Sequence, residues 1–355
     1  MDGNFQDVQP SGQWHLNISS NEAKGAIEYR LGSIGVAPKV FARMGHLVIP
    51  PTAIDSVESL LSNKESVMPA LDIVVDDLEV KGKKLGHAEI EALNQSPADG
   101  GREWRINKLN LTVPEGKFQA TGAWAFVKDS TKNQNTKKTT LDFYLDVDNA
   151  GQLLDRMGTK GAVSGGKGRL SGQVSWLGSP MQMDYASLGG HFNVNIEKGS
   201  FLKTEPGAGR LLGVLNLQAL PRRLLLDFKD IFSDGFSFDF FRGDVNVESG
   251  IAKTNNLQMK GVNAAIFMEG RADISNETQN LKVIVIPEID AGTASLVVAA
   301  INPVIGISTY LAQYFLKKPI SQATTKDFLI EGTWSDPKVT KINAKQDTKQ
   351  ENKNK

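Results

Sequence analysis

The chain has 355 residues, equal totals of 40 basic and 40 acidic side chains, and no cysteine. A net charge of zero gives no indication of a nucleic-acid partner. The lack of cysteine excludes disulfides and thiolate metal sites, although it leaves the cellular compartment open. A chain of this length is expected to form two domains, but a long β architecture can exceed the usual length of a domain and still form only one.

The amino-terminal stretch MDGNFQDVQPSGQW has neither a basic region nor an apolar region of the kind that begins a signal peptide, so we expect none. Because the chain enters a predicted strand so early, we expect it to be a fragment of a longer protein.

Apolar and polar residues alternate with a period of two almost from end to end, which predicts β-strands. Strands of this type form an antiparallel sheet with one apolar and one wet face. In chain order, the main apolar faces are Trp14, Leu16, Ile18; Leu71, Ile73, Val75; Leu78, Val80; Phe118, Ala120, Gly122, Trp124, Phe126; Leu141, Phe143, Leu145, Val147; Leu170, Val174, Trp176; Phe192, Val194, Ile196; Phe236, Phe238, Phe240; Val245, Val247; Ile266, Met268; and Phe328, Ile330, Trp334.

Two segments depart from this alternation. Between Trp104 and Val113 the apolar phase slips by one residue, which predicts a β-bulge. Residues Leu281–Ile286 are apolar on both sides, so we expect both faces of that strand to be covered, the second by helices that follow it.

Helices are few. Ala150–Met157, followed by Gly158, predicts a short helix, and Gly207–Leu220, ended by Pro221, a longer one. A third is expected over Ile54–Ser62. The predicted organisation is a β body over 1–288, an apolar helical hairpin over 289–319, a closing strand over 320–343 and a disordered tail over 344–355.

The stretch from Ala291 to Leu316 contains no charged residue. It is long enough to span a bilayer, but Pro303 argues against one straight helix. With Asn302 as N-cap, the pattern predicts two helices, at 293–301 and 303–317. Because the second is apolar almost all round, we favour contact with lipid over a protein core. The predicted membrane-contacting residues are Leu296, Val297, Ile301, Val304, Ile305, Ile307, Tyr310, Leu311, Tyr314 and Phe315.

No catalytic or metal site is predicted. The stretch from Gly161 to Gly168 resembles a P-loop without its final hydroxyl, but a helix precedes it and a strand follows it, so we interpret it as a flexible turn. The four histidines, His15, His46, His87 and His191, have no partner at a metal-ligand spacing. Arg222 and Arg223 could bind phosphate, but a solvated helix end is the favoured interpretation. We expect neither an enzyme nor a cofactor.

The apolar face of such a sheet is too large to leave in water. A second sheet, closure into a barrel or a bound apolar ligand would each cover it. A curved sheet whose inner face holds acyl chains satisfies the pattern, and so does an ordinary sandwich.

Several stretches together resemble the AsmA-like bacterial family, most closely its YhdP branch. The likeness covers about 71–342 and is strongest from Gly151. It is carried by GQLLDRMG, GGKGRLSGQVSWLGSP, PGAGRLLGVLNLQALPRRLLLDFKDIFSDGFSFDFFRGDV, AAIFMEGRADI, NPVIG and EGTWSDPKV.

The resemblance implies an elongated, twisted, open β-groove held at the inner membrane by an amino-terminal helix. This groove would run through the periplasm of a diderm bacterium toward the outer membrane. The implied function is a non-enzymatic phospholipid conduit that supports the outer-membrane barrier, with acyl chains, the outer membrane and other envelope proteins as expected partners. The alternative is a structural or assembly factor without lipid transfer. We expect this chain to correspond to the distal portion, without the anchor. The predicted lipid-lining residues are Phe126, Phe143, Leu145, Val174, Trp176, Phe192, Val194, Phe236, Phe238, Phe240, Val245, Ile266 and Met268.

Overall fold

The computed structural model describes residues 2–9, 12–33, 36–53, 69–95, 103–129, 134–202, 236–262, 264–287, 304, 306–317 and 325–342. These residues contain seventeen β-strands, helix α1 (Ala150–Arg156), helix α2 (Gly306–Lys317) and a 3-10 turn at Tyr185–Ser187. The strands are β1 Asp2–Gln9, β2 Gln13–Ser19, β3 Ala23–Arg30, β4 Lys39–Ile49, β5 Ala70–Val80, β6 Lys83–Gln95, β7 Glu103–Val113, β8 Gly116–Asp129, β9 Gln134–Val147, β10 Val163–Leu177, β11 Gly189–Phe201, β12 Phe236–Glu248, β13 Ile251–Gly261, β14 Ala264–Asp273, β15 Thr278–Pro287, β16 Lys326–Thr333 and β17 Pro337–Ile342.

The prediction of a mainly β fold, with an open and mostly antiparallel sheet and few short helices, is confirmed. The chain divides into two compact units. Unit 1 comprises 1–146 and 171–190, and unit 2 comprises 147–170 and 191–355.

In unit 1, strands β1 to β8 pair in chain order, antiparallel except at one place. Strands β4 and β5 are parallel, with Val40 opposite Leu71 and Leu47 opposite Leu78. A parallel pair needs a crossover connection, which falls at 50–69 and includes the predicted helix over 54–62. Residues 54–68 lie outside the described part of the chain.

The bulge predicted between Trp104 and Val113 is confirmed. Strand β7 pairs with β8 at Trp104–Trp124 and Ile106–Gly122, and its register shifts before Leu109. The extra residue restores the apolar phase, so Leu109 and Leu111 remain on the face of Trp104. A bulge of this kind changes strand twist without losing the buried face.

In unit 2, strands β12 to β17 form an antiparallel meander with a regular register through β14, β15 and β16. Strand β15 is buried on both sides, as predicted from its sequence. Leu281, Val283 and Val285 join one hydrophobic cluster, and Ile284 and Ile286 join another on the opposite face. The segment predicted as one closing strand contains two, β16 and β17.

Helix α1 confirms the prediction over 150–157, and the Asn149 side chain accepts a hydrogen bond from the Gln152 amide at 3.0 Å. The glycine-rich stretch after it is not a flexible turn, so that prediction is wrong. It forms the start of β10, from Val163 onward. A Cβ on Gly168 would lie 2.0 Å from the Asn195 carbonyl oxygen, so close strand contact explains this glycine.

Several other predictions fall on residues outside the described part of the chain. These are the helices over 207–220 and 293–301 and the tail over 344–355. The helix predicted over 303–317 is described from Gly306, and it ends at Lys317 as expected.

Candidate functional site

A cluster of buried hydrophobic residues lies on one side of the unit 2 sheet, and we call it the apolar face. Its members alternate along their strands, so each strand adds every second side chain to it. They are Phe236, Phe238, Leu257, Met259, Ala264, Ile266, Met268, Leu281, Val283, Val285, Phe328 and Ile330. The partly buried residues packed against them are Val194, Ile196, Phe201, Phe241 and Val339, which extend the cluster from β11 to β17.

The apolar face is buried in this structure. Ile266 has no exposed surface, and the most exposed of the twelve cluster residues, Leu257, retains only 8%. Phe201 and Phe238 pack with their ring centroids 5.4 Å apart. Burial of a large aliphatic or aromatic side chain stabilises a fold by about 1.5–3 kcal/mol, so this face is a principal source of stability for unit 2.

The structure brings part of the predicted lipid-lining set together. Phe236, Phe238, Ile266 and Met268 belong to the apolar face, and Val194 packs against it. Register also places Val245 on this side. It lies two residues before Val247, which is connected by successive strand pairs through Ala252 and Ala272 to Gln279. Gln279 in turn lies two residues before Leu281 of the apolar face. Phe192, also in unit 2, is half-buried.

The other predicted lining residues belong to unit 1. Phe143 is buried and stacks on Phe118 at 6.1 Å. The buried Trp176 donates its indole N–H to the Ser179 carbonyl at 2.8 Å. Phe126 is 41% exposed. The last two, Leu145 and Val174, are half-buried.

Phe240 does not share the face of Phe238, which corrects the prediction. The register between β12 and β13 shifts between these two phenylalanines, so Phe241 pairs with Met259 and packs on the apolar face instead. Phe240 then lies on the opposite side, where the Arg242 guanidinium sits 4.1 Å from its ring centroid. A single bulge therefore reverses the alternation.

The opposite side of the same sheet is covered by α2, and we call it the helix face. Ala265, Phe267, Ile284 and Ile286 form it together with Ile307 and Leu311 from the helix. Tyr310 stacks on Phe267 with the ring centroids 6.1 Å apart. The prediction that following helices cover β15 is confirmed for α2.

This packing corrects part of the predicted membrane-contacting set. Ile307 is fully buried and Leu311 is 3% exposed, so neither faces outward. Val304, by contrast, is 90% exposed. Tyr310 is partly buried against the helix face. The other six members give no test of the prediction. Leu296, Val297, Ile301 and Ile305 lie outside the described residues, and only the backbone of Tyr314 and Phe315 is described.

Several charged side chains lie outside the apolar face, although register places Lys326 on its side, opposite Val285. Lys260 pairs with the exposed Asp239 at 3.4 Å. The pKa of Arg242 is lowered from its usual value because the side chain is partly buried, and the negative charge of Glu197 offsets only part of this effect. In unit 1, a hydrogen bond from Arg43 holds the pKa of Asp72 below its usual value. Within the described ranges, no group of three or more His, Cys, Asp or Glu side chains is placed to hold a metal ion.

Sequence reasoning missed five of the central residues of the apolar face. These are Leu257, Met259, Leu281, Val283 and Val285. In β13 the apolar alternation is short, and a register shift interrupts it between Thr254 and Leu257. In β15 both faces are apolar, so alternation alone cannot assign a residue to one of them.

The fold and this face define a class of mainly β protein with a continuous apolar surface carried across neighbouring strands. Comparison of sequences assigns the chain within that class. It belongs to the YhdP family, whose profile, described as "YhdP protein", matches residues 2–339.

The chain is also similar to a characterised relative, "Intermembrane phospholipid transporter YhdP" of Escherichia coli (strain K12). The two are 31% identical over 170 residues, which is 48% of this chain and 13% of that protein. The match thus spans only a small part of the relative's length. No solved structure matches the chain. Among the described residues, no helix is both long and apolar enough to cross a membrane.

Proposed function

We propose that this chain is part of a non-enzymatic phospholipid conduit, in which the apolar face of unit 2 holds acyl chains. The observation that carries the proposal is the continuity of this face from β11 to β17. Family membership and the phospholipid transporter of E. coli among its relatives support the same function.

The chemistry of the face suits movement of a lipid along it. Its members are aliphatic and aromatic, so they offer burial at about 25 cal/mol per Å² without directional bonds. An acyl chain shifted by one methylene therefore keeps nearly the same contacts. Because the face is already buried, an entering chain replaces side-chain contacts instead of water. That exchange limits the net gain and keeps a lipid from being trapped.

A photo-crosslinker placed at neighbouring positions of β12 tests the proposal. Phe238 belongs to the apolar face, whereas Asp239 is exposed and pairs with Lys260. After incubation with phospholipid vesicles, a crosslinker at Phe238 should capture lipid and one at Asp239 should not. Equal labelling at the two positions would contradict the proposal.

One observation favours a different function. All cluster residues of the apolar face are at most 8% exposed, as in an ordinary protein core. A structural or assembly factor for the outer membrane, with no lipid transfer of its own, would need no more than this. Mass spectrometry of the purified protein separates the two, because a conduit should retain phospholipid and a structural factor should not.

The location that fits the proposed conduit is the periplasm of a diderm bacterium, with this part of the protein toward the outer membrane. The E. coli relative is named as an intermembrane transporter, which supports that location. In this proposal the partners are phospholipid, the outer membrane and other envelope proteins, and the function supports the outer-membrane barrier.

A further inference from the structure

One end of the apolar face carries polar side chains whose hydrogen-bonding atoms are buried. Gln279 is 5% exposed, and neither atom of its carboxamide has a hydrogen-bond partner among the described residues. The same holds for the Thr254 hydroxyl and the Trp334 indole nitrogen. We call these three residues the polar end.

Strand register places Gln279 and Thr254 on the side of the apolar face, and a backbone contact places Trp334 close to Gln279. Gln279 lies two residues before Leu281 in β15, so the two side chains point the same way. Thr254 pairs with Gly270, which in turn pairs with Leu281. Trp334 lies in the bend after β16, and its backbone N–H donates a hydrogen bond at 2.8 Å to the carbonyl oxygen of Glu277, two residues before Gln279.

The neighbours of Gln279 on this face are small. Its pairing partners are Ala272 in β14 and Gly332 in β16, and Gly270 precedes Ala272 on the same side. The positions directly opposite Gln279 on the two adjacent strands therefore carry no bulky side chain. By contrast, Val283 further along β15 is flanked by Met268 and Phe328.

The chemistry of the polar end narrows the choice of partner. Buried polar groups normally have hydrogen-bond partners, because leaving them unpaired is costly. The amide and hydroxyl groups can donate and accept, and the indole can only donate. All three are uncharged, whereas a phosphate is usually bound by Arg or Lys. Neutral carbonyl acceptors match this set better than a charged headgroup.

We propose that the polar end binds the ester carbonyls of a lipid's glycerol backbone while the acyl chains lie along the rest of the apolar face. This inference rests on the proposed function, since it assigns the orientation of the same ligand. The polar end then fixes where the glycerol backbone comes to rest.

A comparison of ester and ether lipids tests the assignment. The full chain is incubated with vesicles containing equal amounts of dioleoylphosphatidylcholine and its diether analogue, which lacks the carbonyl oxygens, and retained lipid is quantified by mass spectrometry. The parent protein should retain the ester about fivefold over the ether, as expected for one net hydrogen bond. In Gln279→Leu the ratio should fall to about one.

The matched control is Gln258→Leu. Gln258 is 3% exposed and also has a buried oxygen without a partner, but it pairs with Phe267 and so lies on the helix face. It should keep the fivefold ratio. The same comparison is made with dioleoylglycerol and its diether analogue, which lack phosphate. The ratio of retained ester to retained ether should again fall to about one in Gln279→Leu. A variant effect that appears only with phosphate present would overturn the assignment.

The remaining outcomes separate this inference from the proposed function. No preference for the ester in the parent, or an unchanged preference in Gln279→Leu, overturns the inference and leaves the conduit proposal standing. If the parent retains no lipid at all, the proposed function fails instead. Should Gln279→Leu not fold, Trp334→Phe keeps the ring and removes the indole N–H. That variant must then lower the ratio, and an unchanged ratio overturns the inference.

Discussion

Docking of helix α2 can be tested by placing a charge at Leu311. This side chain is 3% exposed and packs with Ile307 on Phe267, Ile284 and Ile286. Burial of Leu311 and Ile307 together contributes about 3–6 kcal/mol, since each large aliphatic side chain contributes about 1.5–3 kcal/mol. An unpaired buried charge costs several kcal/mol, which is enough to offset this docking.

We therefore expect Leu311→Asp to release the helix from the sheet without unfolding the strands. Far-ultraviolet circular dichroism should keep its β signal, and amide hydrogen exchange of residues 306–317 should accelerate. Binding of the dye ANS should rise, because the helix face becomes exposed. The matched control is Ala312→Asp, since Ala312 is exposed on the same helix and should give none of these changes.

Three results would contradict this docking of helix α2. Unchanged hydrogen exchange in Leu311→Asp would show that the helix is not held by this contact. Loss of the β signal would show that the helix is part of the core on which the sheet depends. If Leu311→Asp reduced liposome binding without raising ANS fluorescence, the residue would face a membrane after all.

Gly168→Ala should destabilise the protein by about 1–3 kcal/mol or more, because the new Cβ would lie 2.0 Å from a backbone oxygen of β11. In Gly45→Ala the nearest atom is 3.9 Å away, so equal losses in urea unfolding of the two variants would contradict this explanation. Arg43→Met should lower stability at neutral pH by less than about 1 kcal/mol, as for exposed pairs. The Asp72 pKa is lowered in the fold, so this contribution is present above the unfolded pKa near 3.8 and is lost as pH falls through the folded value. A melting-temperature gap between parent and Arg43→Met that does not close under acid conditions would refute the pairing. Lys167→Ala should leave lipid retention unchanged, and ATP should not raise the melting temperature of the parent; a saturable ATP-dependent rise would restore the phosphate-loop interpretation.

Local sequence determined much of this fold. Alternation identified the strands because side chains on a strand point to opposite sides with a fixed period of two. The phase slip before Leu109 located a bulge, and the doubly apolar run from Leu281 to Ile286 showed that both sides of β15 are covered. Helix α1 was also predicted from local sequence, over Ala150–Met157 with Gly158 following. Each of these features depends on residues close together in the chain.

Only the tertiary structure decided which strands meet and which way particular side chains point. The parallel pairing of β4 with β5 and the glycine-rich start of β10 depend on contacts between strands. Phe240 reverses its direction because a register shift against β13 precedes it. Ile307 and Leu311 are apolar in either setting, and only the position of the helix showed that a sheet covers them. Hydrophobicity requires that such residues leave water, but it does not specify the partner, since burial is non-directional.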